Sequence, residues 1–258
     1  MIWKYINTGY KNGAFNMAYD ENLVQKFNSF NQKPILRIYG WNPPAISLGF
    51  NQNIDNFDLK KLNDDGIDIV RRPTGGRAIL HAHELTYSVI IKVNNDGPRA
   101  IYTFINKGLL RGLQLLGIQA ELSSDDTDFR KHYQTNQSVA CFSTSAKSEI
   151  KYEGKKLIGS AQRKFGNIIL QHGSFLLGSE HRNIVKYLSQ NISDSQRIIE
   201  EMLSSKTIEA ETILRRHISL EEAADAIKRG FEVEFKIEFE DINDNDLIEE
   251  TNKSFINV

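Results

Sequence analysis

Cys141 is the only cysteine in the chain, and it stands in the stretch VACFSTSAKSEI, residues 139–150. A thiol is a nucleophile only as its thiolate, and a nearby ammonium favours that form. Lowering its pKa by one unit from about 8.5 takes only about 1.4 kcal/mol, which one close cation supplies at an effective dielectric of ~20. Lys156, just past the turn Glu153-Gly154-Lys155, could be that cation. Spacing alone leaves two plainer alternatives open: the cysteine as a small buried hydrophobe, and the lysine as a solvated residue beside a hairpin.

The densest unusual stretch is RRPTGGRAILHAHELTYSV, residues 71–89. A strand ends at Arg71-Arg72, turns through Pro73-Thr74-Gly75-Gly76 and resumes at Arg77. Paired glycines permit a positive φ or a close backbone approach to a ligand. The flanking arginines favour an anionic ligand or partner, and an ordinary hairpin turn is the alternative. The turn lacks G-x-x-x-x-G-K-[ST] and does not lead into a helix, so it is not a phosphate-cradling loop.

Other chemistries find less support. The six histidines are scattered without C-x-x-C or H-x-x-x-H spacing, and His81 and His83, two apart on one strand face, have no third ligand in view; no metal site is expected. There is no G-x-S-x-G elbow, and Ser160 and Ser174 sit in strand-like runs; His172 is at most a secondary candidate for a base. Thirty-two basic residues against thirty-three acidic leave a net charge of −1, so no global field would draw the chain to nucleic acid or a membrane surface. No apolar run approaches the roughly 20 residues of a membrane span. A single cysteine and an N-terminus without a secretory pattern point to the cytoplasm.

The elements that must position these groups read as α+β. IWKYIN is a strand, and Asn12-Gly13 opens a helix carrying Met17, Ala18, Val24 and Phe27. ILRIYGW, AISLGF and IDIVRR are short strands, and ELTYSVIIKV is apolar enough to be covered on both faces. Residues 99–117 form a helix closed by Gly117. SEIKY, KLIGSAQRK and NIILQHGSFLL, joined by short glycine-bearing turns, form an antiparallel meander. Helices dominate from Glu180: SLEEAADAIKRGF has a Ser219/Glu222 capping box and Gly230 as its stop, and a last helix starts near Asp244. The expected architecture is a mixed, mainly antiparallel sheet with flanking helices gathered to one side, residues 1–195 forming a catalytic domain and 196–258 a helical C-terminal extension.

Taken in order, NMAYDENL, LRIYGWNPPAISLGFNQ, VRRPTGGRAILHAHELTYSV, ACFSTSAKSEI, GKKLIGSAQRK and ILQHGSFLL resemble the biotin/lipoate protein ligase superfamily. Within it they are most similar to the cysteine-dependent octanoyltransferases, over nearly the whole chain. The resemblance implies a biotin/lipoate ligase-like catalytic domain and a two-step acyl transfer. Cys141 would take an octanoyl group from octanoyl-acyl carrier protein as a thioester. The lysine of a lipoyl domain, such as glycine cleavage H protein or a 2-oxoacid dehydrogenase E2, would then accept it as an amide. Lys156 matches the lysine that lowers the cysteine pKa and touches the acyl carbonyl. Arg72, Gly75, Gly76, Arg77 and His81 match one wall of the acyl channel; Gly159, Ser160, Ala161, His172 and Gly173 match the other. No cofactor is implied, and the energetics agree with that: thioester exchange is nearly isoenergetic and aminolysis is downhill. The chain departs from the family in reading FSTSAKSEI after Cys141, where a proline and an aromatic are usual, and in Ala82, where an acid is frequent.

Related readings remain: an amidotransferase moving acyl groups between lipoyl domains, an ATP-dependent lipoate ligase in which Lys156 contacts an acyl-adenylate, and a non-enzymatic scaffold that binds lipoyl domains through its basic turn.

Overall fold

The computed structural model describes residues 1–93, 97–123, 149–189, 196–242, 247–249 and 251–252. In chain order the elements are β1 (Ile2–Lys11), α1 (Gly13–Gln25), β2 (Ile35–Trp41), β3 (Ala45–Leu48), α2 (Leu59–Asp64), β4 (Asp68–Arg71), β5 (Ile79–His81), β6 (Glu84–Lys92), α3 (Pro98–Leu115), β7 (Glu121–Leu122), β8 (Ile150–Tyr152), β9 (Lys155–Phe165), β10 (Ile168–Leu176), α4 (Gln196–Lys206), α5 (Ala210–Leu214), α6 (Leu220–Phe235) and β11 (Glu238–Asp241). An eight-stranded sheet runs β11-β1-β2-β6-β10-β9-β8-β7, and a second sheet has the order β4-β3-β5. In the large sheet β1 pairs parallel with β2 and β11, while the other pairings are antiparallel, including the expected β8-β9-β10 meander.

Alternation along β6 explains its long apolar run. Leu85, Tyr87 and Val89 enter the main core beneath α3 and α6, whereas Ile90 enters a separate core beneath α1. The helices therefore cover both faces, not one. The reason is β2, β6 and β10: their Ile35, Ile90 and Leu170 present a second apolar surface, which α1 covers with Phe15, Tyr19 and Leu23. Asn12 starts α1 by accepting the Phe15 N–H at 2.8 Å.

Gly230 is not a helix stop. α6 continues to Phe235 and closes at Lys236, whose φ of 50° lies in the left-handed region. Gly230 is instead where α6 meets α3: a Cβ there would sit 2.2 Å from the Gly112 nitrogen. Phe231 packs in the same way onto Gly108, where a Cβ would be 2.8 Å from its ring. Gly230→Val is expected to push the helices apart and to destabilise the protein by about 2–3 kcal/mol, read as a lower urea midpoint. Gly117 does close α3 as expected, at φ 89°. The Asp244 start of the last helix lies outside the described residues, but Leu247 beyond it joins the α1 core.

The small sheet packs with α4 and a 3₁₀ segment, Glu180–Tyr187, in a third core. His181 in that segment is 4% exposed. Burial first, then the Arg182 charge, lower its pKa from 6.5 to about 4. Above pH 6.5 His181 is neutral whether the chain is folded or not. As pH falls from there toward 4, the unfolded chain takes up a proton that the folded one does not, so stability falls, by about 3 kcal/mol in all. His181→Gln is expected to flatten the fall in melting temperature across that window.

Among the described residues, no helix is long and apolar enough to cross a membrane.

Candidate active site

A predominantly apolar cavity opens where the small sheet meets β9 and β10 of the large one. Arg72, His81, Gly159, Ser160, Ala161, His172 and Gly173, all marked by sequence, line it. β9 and β10 place their members opposite one another, with Ser160 paired to Gly173 and Ala161 to His172. Gly173 must be glycine for that wall to close: a Cβ would lie 2.6 Å from the Gly159 carbonyl oxygen and 2.7 Å from the Tyr87 ring. The Tyr87 hydroxyl then meets Ser160 Oγ at 2.6 Å.

The Gly75-Gly76 segment is not a hairpin turn. β4 and β5 both pair with β3 and not with each other, so the segment crosses the end of β3. Gly76 takes a φ of 96°, and its carbonyl comes so close to Gly49 that a Cβ there would be 1.9 Å away. The Arg72 charge is turned inward, whereas Arg71 stays at the surface. Arg72 donates to the carbonyls of Ser47 (2.8 Å), Gly75 (3.0 Å) and Arg77 (2.7 Å). Arg71 donates to those of Gly49, Phe50 and Gln52. These donors brace the main chain at 47–52 and 75–77, so Arg72 serves the loop's shape in place of an anion. Gly75, Gly76 and Arg77 shape the cavity through this loop and do not line it.

Behind the cavity lie two polar networks. In the first, His81 shares short hydrogen bonds with Ser47 Oγ and Glu84 Oε1, both 2.7 Å, and stacks on Trp41 with ring centroids 4.1 Å apart. Burial would raise the Glu84 pKa, but His81 and the hydroxyls of Ser174 and Thr86 outweigh it and hold the carboxyl below its usual range. In the second, His172 meets Thr74 Oγ1 at 2.6 Å and Asp20 Oδ2 at 3.4 Å. Asp20 pairs with Arg37 at 2.7 Å, with neither side chain exposed. Burial would raise the Asp20 pKa, yet Arg37 and His172 bring it below the usual range; burial lowers that of His172, so its imidazole is neutral near pH 7. Arg37 is saturated, its remaining donors going to Asn16 and Thr8. Sequence reasoning missed Asp20, Arg37, Glu84 and Ser47. The only signal was charged and polar residues inside otherwise apolar strand and helix runs.

Lys156 is not a solvated hairpin lysine. It is buried near the start of β9 and pairs at 2.6 Å with Glu149, whose second carboxylate oxygen is buried without a hydrogen-bond partner among the described residues. Lys156 does not line the cavity; it lies three residues, about 10 Å of strand, before Gly159. Its carbonyl accepts the Ile208 N–H at 3.1 Å, which ties the segment after α4 to β9. Cys141 lies outside the described residues, which resume at Glu149.

Comparison with known proteins bears directly on this site. Residues 12–232 match the lipoyl protein ligase A/B catalytic domain. The chain is 39% identical over 234 residues to octanoyltransferase LipM of Symbiobacterium thermophilum, covering 89% of this chain and 85% of that protein. It is 34% identical over 247 residues to octanoyltransferase LipM of Bacillus subtilis, covering 92% and 88%. Among solved structures it is similar to a bi-partite lipoate protein ligase from Thermoplasma acidophilum, with a TM-score of 0.80, 20% identity, and coverage of 100% of this chain and 92% of that one. An ATP-bound lipoate-protein ligase A gives a TM-score of 0.79 at 21% identity, covering 100% and 95%. The structural likenesses establish the shared α+β fold.

Proposed function

The chain belongs to the lipoyl protein ligase A/B catalytic domain family, and on that premise we propose that it moves an octanoyl group from octanoyl-acyl carrier protein, through a thioester on Cys141, to the lysine of a lipoyl domain. It is an acyltransferase: relatives named octanoyltransferase align over about nine-tenths of its length. The observation that carries the reading is the apolar cavity, walled by the residues that the octanoyltransferase resemblance marks. At about 0.8 kcal/mol per buried methylene, the six methylenes of an octanoyl tail contribute about 5 kcal/mol there.

In the first step the Cys141 thiolate adds to the carrier thioester carbonyl, and the carrier's thiolate leaves and takes up a proton. In the second, the neutral amine of the acceptor lysine adds to the Cys141 thioester, the C–S bond breaks, and an amide forms as the amine gives up a proton. Lys156 would favour the thiolate and stabilise charge on the acyl oxygen in both steps. Asp20 and Glu84, ionised behind the cavity, fix His172 and His81 as its wall. Residues 1–195 would carry the chemistry, and residues 196–258 would act as an extension that supports it through the Thr207–Lys156 and β11–β1 pairings. A reduced thiol and an acyl carrier protein both suit a cytoplasmic setting.

The test is transfer to an apo lipoyl domain, either an H protein or an E2 domain, read by mass. Octanoyl-acyl carrier protein should suffice without ATP. A requirement for ATP and free octanoate would make the chain a ligase, and a requirement for an octanoylated lipoyl domain as donor would make it an amidotransferase.

A further inference from the structure

His83, Glu211 and His217 form a cluster away from the acyl cavity, assembled from the turn between β5 and β6, from α5, and from the link between α5 and α6. One ligand atom from each lies within 4.8 Å of those from the other two. Glu211 Oε1 is the hub, 2.7 Å from His217 Nδ1 and 3.4 Å from His83 Nε2. The main chain beneath is fixed. The Glu211 N–H donates to the Leu177 carbonyl at 3.1 Å, the Ile218 N–H donates to Glu211 Oε1 at 3.1 Å, and the His83 carbonyl accepts the Gly178 N–H at 3.0 Å.

Two imidazoles and one carboxylate are a donor set that suits zinc, with a fourth position left for water. Bonds of about 2.0–2.1 Å to a tetrahedral ion place neighbouring ligand atoms roughly 3.3 Å apart. The His83–Glu211 separation is already 3.4 Å, and His217, with 73% of its side chain exposed, can rotate to open the shorter one. The partial exposure of all three side chains gives an ion a path in and room for its water. His217 Nδ1 meets Glu211 Oε1 at 2.7 Å while His83 Nε2 donates to the Ile218 carbonyl at 3.2 Å, a bond that an ion would displace.

We propose that His83, Glu211 and His217 are a binding site for a zinc-class divalent cation that clamps the C-terminal helices to the strand-turn segment beside the acyl cavity. His83 lies two residues beyond His81, a cavity residue, while Glu211 and His217 belong to the extension after residue 195. One ion would therefore staple those two parts together. This inference is independent of the acyl-transfer reading.

The test is zinc titration of the chelator-stripped full-length chain against a chromophoric competitor, with cobalt as a spectroscopic substitute. The expected result is one equivalent of zinc, held at least 10-fold more weakly by His217→Ala and by Glu211→Gln and unchanged by Cys141→Ser. Cobalt should show visible ligand-field bands without thiolate charge transfer. Zinc should raise the melting temperature of the parent chain but not that of His217→Ala, whose exposed site leaves folding intact. Undiminished binding by the His83→Ala/His217→Ala double variant, loss of binding with Cys141→Ser, or no stoichiometric binding by the parent chain would each overturn the proposal.

Discussion

Asp20→Ala is expected to cost about 3–5 kcal/mol of stability, enough to bring a chain of ordinary stability close to unfolding at room temperature. The reason lies in what remains. Arg37 is fully buried, and Asp20 is its counter-ion at 2.7 Å. Asp20 also accepts from Ser88 at 2.8 Å and from the Tyr39 hydroxyl at 3.2 Å, so its removal strands three donors at once. His172 loses one of its two partners too, keeping only Thr74, which loosens one wall of the acyl cavity. Denaturant unfolding checks the number. A loss below about 1 kcal/mol would mean that water reaches Arg37 and that the pair is not the keystone described here.

Lys156→Met is expected to slow acylation by on the order of 10²-fold at pH 7, with the deficit shrinking as pH approaches the ordinary thiol value of about 8.5. Because Lys156 is buried against Glu149, the single variant also leaves a carboxylate alone in the interior and should lose stability. The two effects separate in the double variant Lys156→Met/Glu149→Gln. Replacing both charges with neutral groups should restore most of the stability, since a buried ion pair is worth little against a neutral pair of like shape. Acylation should stay slow. If the double variant regains both stability and rate, Lys156 is a structural cation and takes no part in the chemistry.

Much of this was legible because the relevant periodicities are local. The β8-β9-β10 meander, the α3 stripe and the Ser219 cap each follow from residues a few positions apart, and the cap bond at 3.1 Å confirms the last. Gly230 was misread because a glycine after a basic turn resembles a helix stop. Its actual demand, room for Gly112, comes from a helix more than a hundred residues away in sequence. The arginines at 71 and 72 resembled an anion site for a similar reason, since nothing in their neighbours reveals that distant carbonyls claim their donors. The walls of the cavity could be named from motifs, but the buried pairs behind it, Asp20–Arg37 and Glu84–His81, join different elements or cross a turn into the interior. Only packing shows which polar residues are enclosed.

The central claim is that one sulfur carries the acyl group, and intact mass of the full chain after incubation with octanoyl-acyl carrier protein, without ATP, tests it most directly. The account predicts a single octanoyl adduct that hydroxylamine removes, that maps to Cys141 and that is missing from Cys141→Ser. An adduct that survives in Cys141→Ser, or one that forms only with ATP and free octanoate, would contradict it.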